Sequence, residues 1–294
     1  MGFLPYKNGM ASEIKSIKSI IYQKSGLDVS QLLFKKNANF NFELPEKIKK
    51  DFTLINKKWI EKDKNNSFKN QESLCVSKFH LKEKKLYLEF CEEKYVNRQA
   101  ISETISSLPA IDQDYLLSEV NNKKIKLPLS YKMNIGIITK DGHLIMVKRS
   151  HKVSTNKGKI DFGISKGVKP SDYNGRSFQP LVTALRAAQE ELNLPLDAKE
   201  VIKKEAFIIK EFYLNREIFS LGFLCIIDLR KLDHDYTAKK VLDLSTGAMN
   251  SWEISEVFSI ELNKKSLSKF IKENLNKTTN YSLYHLFKIL EDLK

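Results

Sequence analysis

Hydrophobic and polar positions along this chain repeat with two different periods, and the changes of period mark its elements. In KLYLEF (Lys85–Phe90) apolar residues fall at every second position, as a half-buried strand requires. Leu74–Leu81 alternates in the same way, and the charged Lys82–Lys84 turn between the two predicts a β-hairpin. Ile14, Ile17, Ile20 and Ile21 instead recur at helical spacing until Gly26 breaks the segment. Lys57–Asn70 reads as a helix running into a loop around Trp59, Ile60 and Phe68. A further helix is expected near Ile101–Leu117, interrupted at Pro109.

NNKKIKLPLS (Asn121–Ser130) is rich in lysine, contains a proline and reads as a linker, which places a domain boundary at residue 126. Beyond it, Met133–Thr139 and His143–Arg149 are strands joined by Asp141-Gly142, a strong hairpin turn. Pro180 then opens a helix through Leu192, with Leu181, Ala184, Leu185, Ala188 and Leu192 on one face. Asn193 suits a left-handed helix terminus, and Pro195 prevents continuation. Strands follow at Ala206–Phe212, Ile218–Asp228 and Val257–Ile260, and Ser266–Leu293 is helical. The expected fold is α/β: an α/β/α sandwich with a mixed sheet over 127–294, preceded by a smaller α+β domain over 1–126.

Composition narrows the function classes. The chain has 294 residues, and 50 Lys+Arg against 36 Asp+Glu leave a net charge of +14. Of the basic residues only six are Arg, and the lysines are spread throughout. Readers of base edges lean on the rigid arginine fork, so a nucleic-acid partner is not expected. No apolar run approaches the ~20 residues of a membrane helix, and the first residues lack the apolar stretch of a secretory signal. Three widely spaced cysteines (Cys75, Cys91, Cys225) fit neither a disulfide framework nor a zinc cluster. A reducing, cytoplasmic setting is expected.

Candidate chemistry lies on the polar face of the Pro180–Leu192 helix. Arg186, Glu190 and Glu191 lie away from the apolar stripe, and adjacent carboxylates could share a hard divalent cation that bridges to phosphates. Lys148 and Arg149 end a strand near that helix and could meet substrate phosphate, while Phe162 could stack on a base or sugar. His151 is a candidate base, and Glu211, Glu217, Glu253 and Glu256 are further acids near strand ends or loops.

In these residues the chain resembles the Nudix hydrolase superfamily, whose box reads G-x5-E-x7-R-E-U-x-E-E-x-G-U with U apolar. RAAQEELNL (Arg186–Leu194) matches its second half, and Gly167 is the candidate opening glycine. The exit Glu191–Leu196, a stretched box, Trp59, the hairpin and Tyr95 are similar to the branch that includes UDP-glucose pyrophosphohydrolase. The resemblance implies Mg- or Mn-dependent hydrolysis of a nucleoside diphosphate linked to another group. Glu190 and Glu191 would hold the metal, Arg186 would belong to the catalytic set, and Lys148, Arg149, Phe162 and Gly167 would contact substrate. Three positions and one loop length depart from the box. Ala187 stands where a Glu follows the Arg, Tyr173 stands in place of the earlier Glu with Asp172 beside it, the loop is five residues longer, and Asn193 replaces the closing glycine. The first three support an alternative: a catalytically degenerate domain that senses a nucleotide-derived ligand, whereas Asn tolerates the backbone conformation of the closing glycine. Oligomeric state is not legible. The linker reading further implies that a fragment starting near Lys126 keeps its fold.

Overall fold

The computed structural model describes residues 16–27, 31–66, 71–122, 124–153, 155–173, 180–248 and 252–293. Ile14, Phe68 and Ser154 lie outside the described residues. The elements run β1 (Ile17–Tyr22), β2 (Leu32–Lys36), α1 (Glu46–Asn66), β3 (Glu72–Lys82), β4 (Lys85–Lys94), α2 (Tyr95–Ser106), α3 (Ala110–Asn121), β5 (Ser130–Ile138), β6 (His143–Arg149), β7 (Ile160–Phe162) and β8 (Ile164–Gly167). They continue with α4 (Pro180–Leu192), α5 (Ala198–Lys203), β9 (Phe207–Asn215), β10 (Ser220–Asp228), α6 (Ala238–Ser245), β11 (Ile254–Glu261), α7 (Lys264–Asn274) and α8 (Asn280–Asp292).

The large sheet has the order β1-β9-β10-β5-β6-β11, with β7 paired to β6 and β8 to β5. Its β10–β5 pair is parallel and its other pairs are antiparallel, so the sheet is mixed. Helices cover both faces. On one side Tyr131, Met133, Ile135 and Ile137 of β5 join Ala184, Ala187, Ala188 and Leu192 of α4 in a large core. On the other, Leu144 and Met146 of β6 join Leu267 and Ile271 of α7 and Leu283, Leu286 and Leu290 of α8. This is the expected α/β/α sandwich. Burial on both faces explains why β10 is apolar at nearly every position, where a one-sided strand would alternate.

Three local readings change. Ile17–Tyr22 is not helical but forms strand β1, antiparallel to β9 with Ile17 opposite Asn215. Isoleucines three or four apart suit a short helix and a twisted edge strand equally, and β9 supplies the hydrogen bonds that decide between them. The stretch over 121–130 is not an exposed tether. Leu127 and Leu129 are buried, and Leu129 exchanges backbone hydrogen bonds of 2.9 Å in each direction with Val76 of β3. The last helical segment is two helices, α7 and α8, separated around residues 275–279.

The three-stranded sheet β2-β4-β3 contains the expected hairpin. Its apolar side opens into the large core: Phe90 lies 5.4 Å from Tyr131, and Phe79 meets Phe212 edge to face at 5.5 Å. Leu74, Val76, Leu88 and Phe90 thus share one cluster with Met133 and Phe223. Among the described residues no helix is long and apolar enough to cross a membrane, and all three cysteines are buried and free.

Candidate functional site

Helix α4 carries the site. Pro180 stands at its first position, where a missing N–H costs nothing. At the far end Asn193 adopts φ +50°, and the N–H groups of Asn193 and Leu194 donate to Gln189 and Ala188 carbonyls, both at 3.1 Å. That left-handed stop ends the helix just after the adjacent carboxylates. Ala187 is fully buried in the large core, so position 187 faces packed apolar side chains.

A tight turn at Pro170–Asp172 sits beside α4 and supplies an acid. Asp172 accepts from Arg186 Nη2 at 2.6 Å, Arg186 Nε at 3.0 Å, Thr183 Oγ1 at 2.9 Å and the Lys169 N–H at 2.9 Å. Burial works to raise its pKa, but the Arg186 fork and the other donors hold the carboxyl below the usual range. Position 173 is Tyr, yet the residue beside it gives Arg186 its acid. Arg186 also donates to the Gly167 carbonyl at 3.1 Å and to Glu190 Oε2 at 3.4 Å. Gly167 therefore contributes through its backbone, and the space a side chain would occupy there is open.

The carboxylate pair meets cations of the protein itself. Lys166 Nζ lies 3.1 Å from Glu190 Oε2 and 3.1 Å from Glu191 Oε1, and Lys169 Nζ lies 3.2 Å from Glu190 Oε1. Lys166 stands opposite Met133 in the β8–β5 register, and Met133 belongs to the core under α4, so the side chain rises towards the helix. Burial disfavours its charge, but Glu191, Glu253 and Glu190 together raise its pKa. Glu191 is buried, and burial together with repulsion from Glu253 pushes its carboxyl from 4.5 to about 7, against the pull of Lys166.

The Glu191 shift has a measurable consequence. Above pH 4.5 the folded chain keeps a proton that the unfolded chain has released, so this group destabilises the fold increasingly as pH rises to about 7. Relative to Glu191→Gln, wild-type stability should fall across that window and stay level above it. Urea titrations at closely spaced pH values check this, and a flat difference would contradict it.

A shared divalent cation, expected from the sequence, does not fit this arrangement. Such ions need several oxygen ligands at about 2.0–2.6 Å, and here an ammonium group already lies against both carboxylates. Among the described residues no group of three or more His, Cys, Asp and Glu is arranged to hold a metal.

Other expected residues separate into two groups. Arg149 pairs with Asp161 at 3.1 Å and is close enough to Glu191 to act on its charge, as is Glu253. Lys148 lies on the opposite face of β6 with Leu144 and Met146, opposite Glu256 and Ile160 in register. Phe162 is 1% exposed and packs against His285 at 5.6 Å in the second core. It is a core residue and is not available to stack on a ligand, because β7 turns that ring away from α4. Glu211 is buried and accepts from Tyr284 at 2.6 Å, Glu217 pairs with Asn280, and His151 is exposed above Gly158. Lys166, Lys169 and Asp172 were given no role by the sequence. The signals were two lysines three apart around Gly167, in SKGVK, and Asp172 beside Tyr173.

No protein-family model matches the chain, and no curated protein matches it. Solved structures with a similar fold include a bifunctional NMN adenylyltransferase/ADP-ribose pyrophosphatase from Francisella tularensis, at 14% identity and TM-score 0.40 over 68% of this chain and 49% of that one. The same Francisella protein was solved in complex with AMP and a manganese ion, at TM-score 0.41. Nudix hydrolases from Alicyclobacillus acidocaldarius (12% identity, TM-score 0.37, 55% of this chain and 91% of that one) and Clostridium perfringens (13%, 0.34, 57% and 100%) are similar too. The chain spans about half the length of the first Francisella structure. These likenesses concern the fold alone.

Proposed function

We propose that this chain binds a nucleoside diphosphate joined to a second group at the α4–β8 face and acts as a ligand-responsive module without metal-dependent turnover. One observation carries the reading: Asp172, Glu190 and Glu191 are already paired with cations of the protein. Asp172 is held by Arg186, Glu190 by Lys166, Lys169 and Arg186, and Glu191 by Lys166. The nucleotide class comes from the resemblance of RAAQEELNL to the Nudix box. The side chain of Lys169 is 42% exposed, so it can reach a phosphate without giving up the fold.

Metal-dependent hydrolysis is the second reading, and the nearness of Glu253 favours it. The charge of Glu253 acts on both Glu191 and Lys166. UDP-sugars, ADP-ribose, NAD and nucleoside triphosphates, each with Mg, Mn or a chelator, separate the two. Retention of one ligand with a rise in melting temperature and no product is the expected result. Product release that needs Mg or Mn and disappears in Glu190→Gln/Glu191→Gln would establish hydrolysis instead. No binding of any member would reject both.

A further inference from the structure

The position of Lys166 deepens this reading of the site and rests on it. An ammonium has three N–H donors in a tetrahedral array. Its nitrogen lies 3.1 Å from both Glu190 Oε2 and Glu191 Oε1, close enough to pair with both charges, and the second Glu190 oxygen is taken by Lys169. The Lys166 side chain is only 11% exposed, so it cannot move into water without leaving its place between sheet and helix. A divalent ion at the same two oxygens would stand against a buried positive charge within a few ångströms. It would also strip that charge of its partners, which is strongly unfavourable in a low-dielectric site.

We infer that Lys166 is the resident cation of this site: its ammonium replaces a divalent ion between Glu190 and Glu191 and presents its third N–H to a phosphate oxygen of the ligand. The carboxylates then orient an ammonium, and phosphate recognition does not depend on metal. Lys169 and Arg186 flank the same carboxylate, and Lys169, whose side chain is 42% exposed, is the member of the set that reaches towards solvent.

The test has two arms on the full chain. In the first, Mn2+ is titrated without nucleotide and followed by electron paramagnetic resonance. Wild type should show no specific site at millimolar Mn2+, and Lys166→Ala, which removes the ammonium shared by the two carboxylates, should bind at least about tenfold more tightly. A wild-type Mn2+ site abolished by Glu190→Gln/Glu191→Gln overturns the inference, and this measurement needs no lysine variant to fold. In the second arm inorganic pyrophosphate is titrated by calorimetry in chelator. Wild type should bind it, and Lys166→Met should lose about tenfold or more in affinity. Binding that requires Mg, or survives Lys166→Met unchanged, overturns the inference. Absence of pyrophosphate binding in wild type rejects the ligand reading, whereas the Mn2+ arm judges the cation's identity by itself.

Discussion

A fragment beginning at Lys126 should fail to fold, giving aggregates and no cooperative melting transition. The sequence puts a boundary there, yet residues from both sides of it pack in one cluster. Strand β1 would be missing from the β9 edge, leaving the backbone groups of Lys210–Asn215 unpaired along a largely apolar strand. Phe79, Phe90, Leu74, Val76 and Leu88 would be lost from the large core, exposing Tyr131, Phe212 and Phe223. Each such side chain contributes about 1.5–3 kcal/mol when buried. Five together approach the roughly 5–15 kcal/mol that holds a whole domain. Circular dichroism and a thermal melt of the fragment decide the matter, with co-expression of residues 1–125 as the complement. A soluble fragment with a sharp transition would show that the two halves have separate cores.

Asp172→Ala is expected to destabilise the full chain by about 3 kcal/mol or more at neutral pH. The substitution removes the fork that neutralises Arg186 and orphans Thr183 Oγ1 and the Lys169 N–H in one step. Arg186 keeps the Gly167 carbonyl and the longer contact to Glu190, which limits the loss. The pH dependence has a definite sign. Because the folded-state pKa of Asp172 is depressed, its contribution is present above the unfolded value near 3.8 and fades as pH falls through the lower folded value. Wild type and Asp172→Ala should therefore converge in strongly acidic solution. A double-mutant cycle with Arg186→Ala, read by urea unfolding, should return a coupling of about 1–3 kcal/mol. Additive effects would mean that the pair does not organise the site.

Some of the site was legible because its causes are local. Pro180, the spacing of small and apolar residues and Asn193 define α4 to the residue, since a first-turn proline and a left-handed stop need only their neighbours. Asp141-Gly142 and the charged turn at 82–84 likewise announce their hairpins. Phe162 could not be assigned in this way. In KIDFG it has the character of either a stacking ring or a core ring, and only the pairing of β7 with β6 shows which side it takes.

By itself the sequence determined the class of the fold, the limits of α4 and the presence of Arg186, Glu190 and Glu191 together on it. Each follows from periodicity or turn chemistry within about a dozen residues. The tertiary structure decided the rest. It made Ile17–Tyr22 a strand, because an edge of β9 lay open to it. It drew the apolar side of the hairpin into the same core as β5 and β10. It also set Lys166 between the two carboxylates, because β8 pairs with β5 and α4 packs above that register. No local pattern records the distance between a lysine and a glutamate more than twenty residues apart, and that distance determines which cation the acids hold.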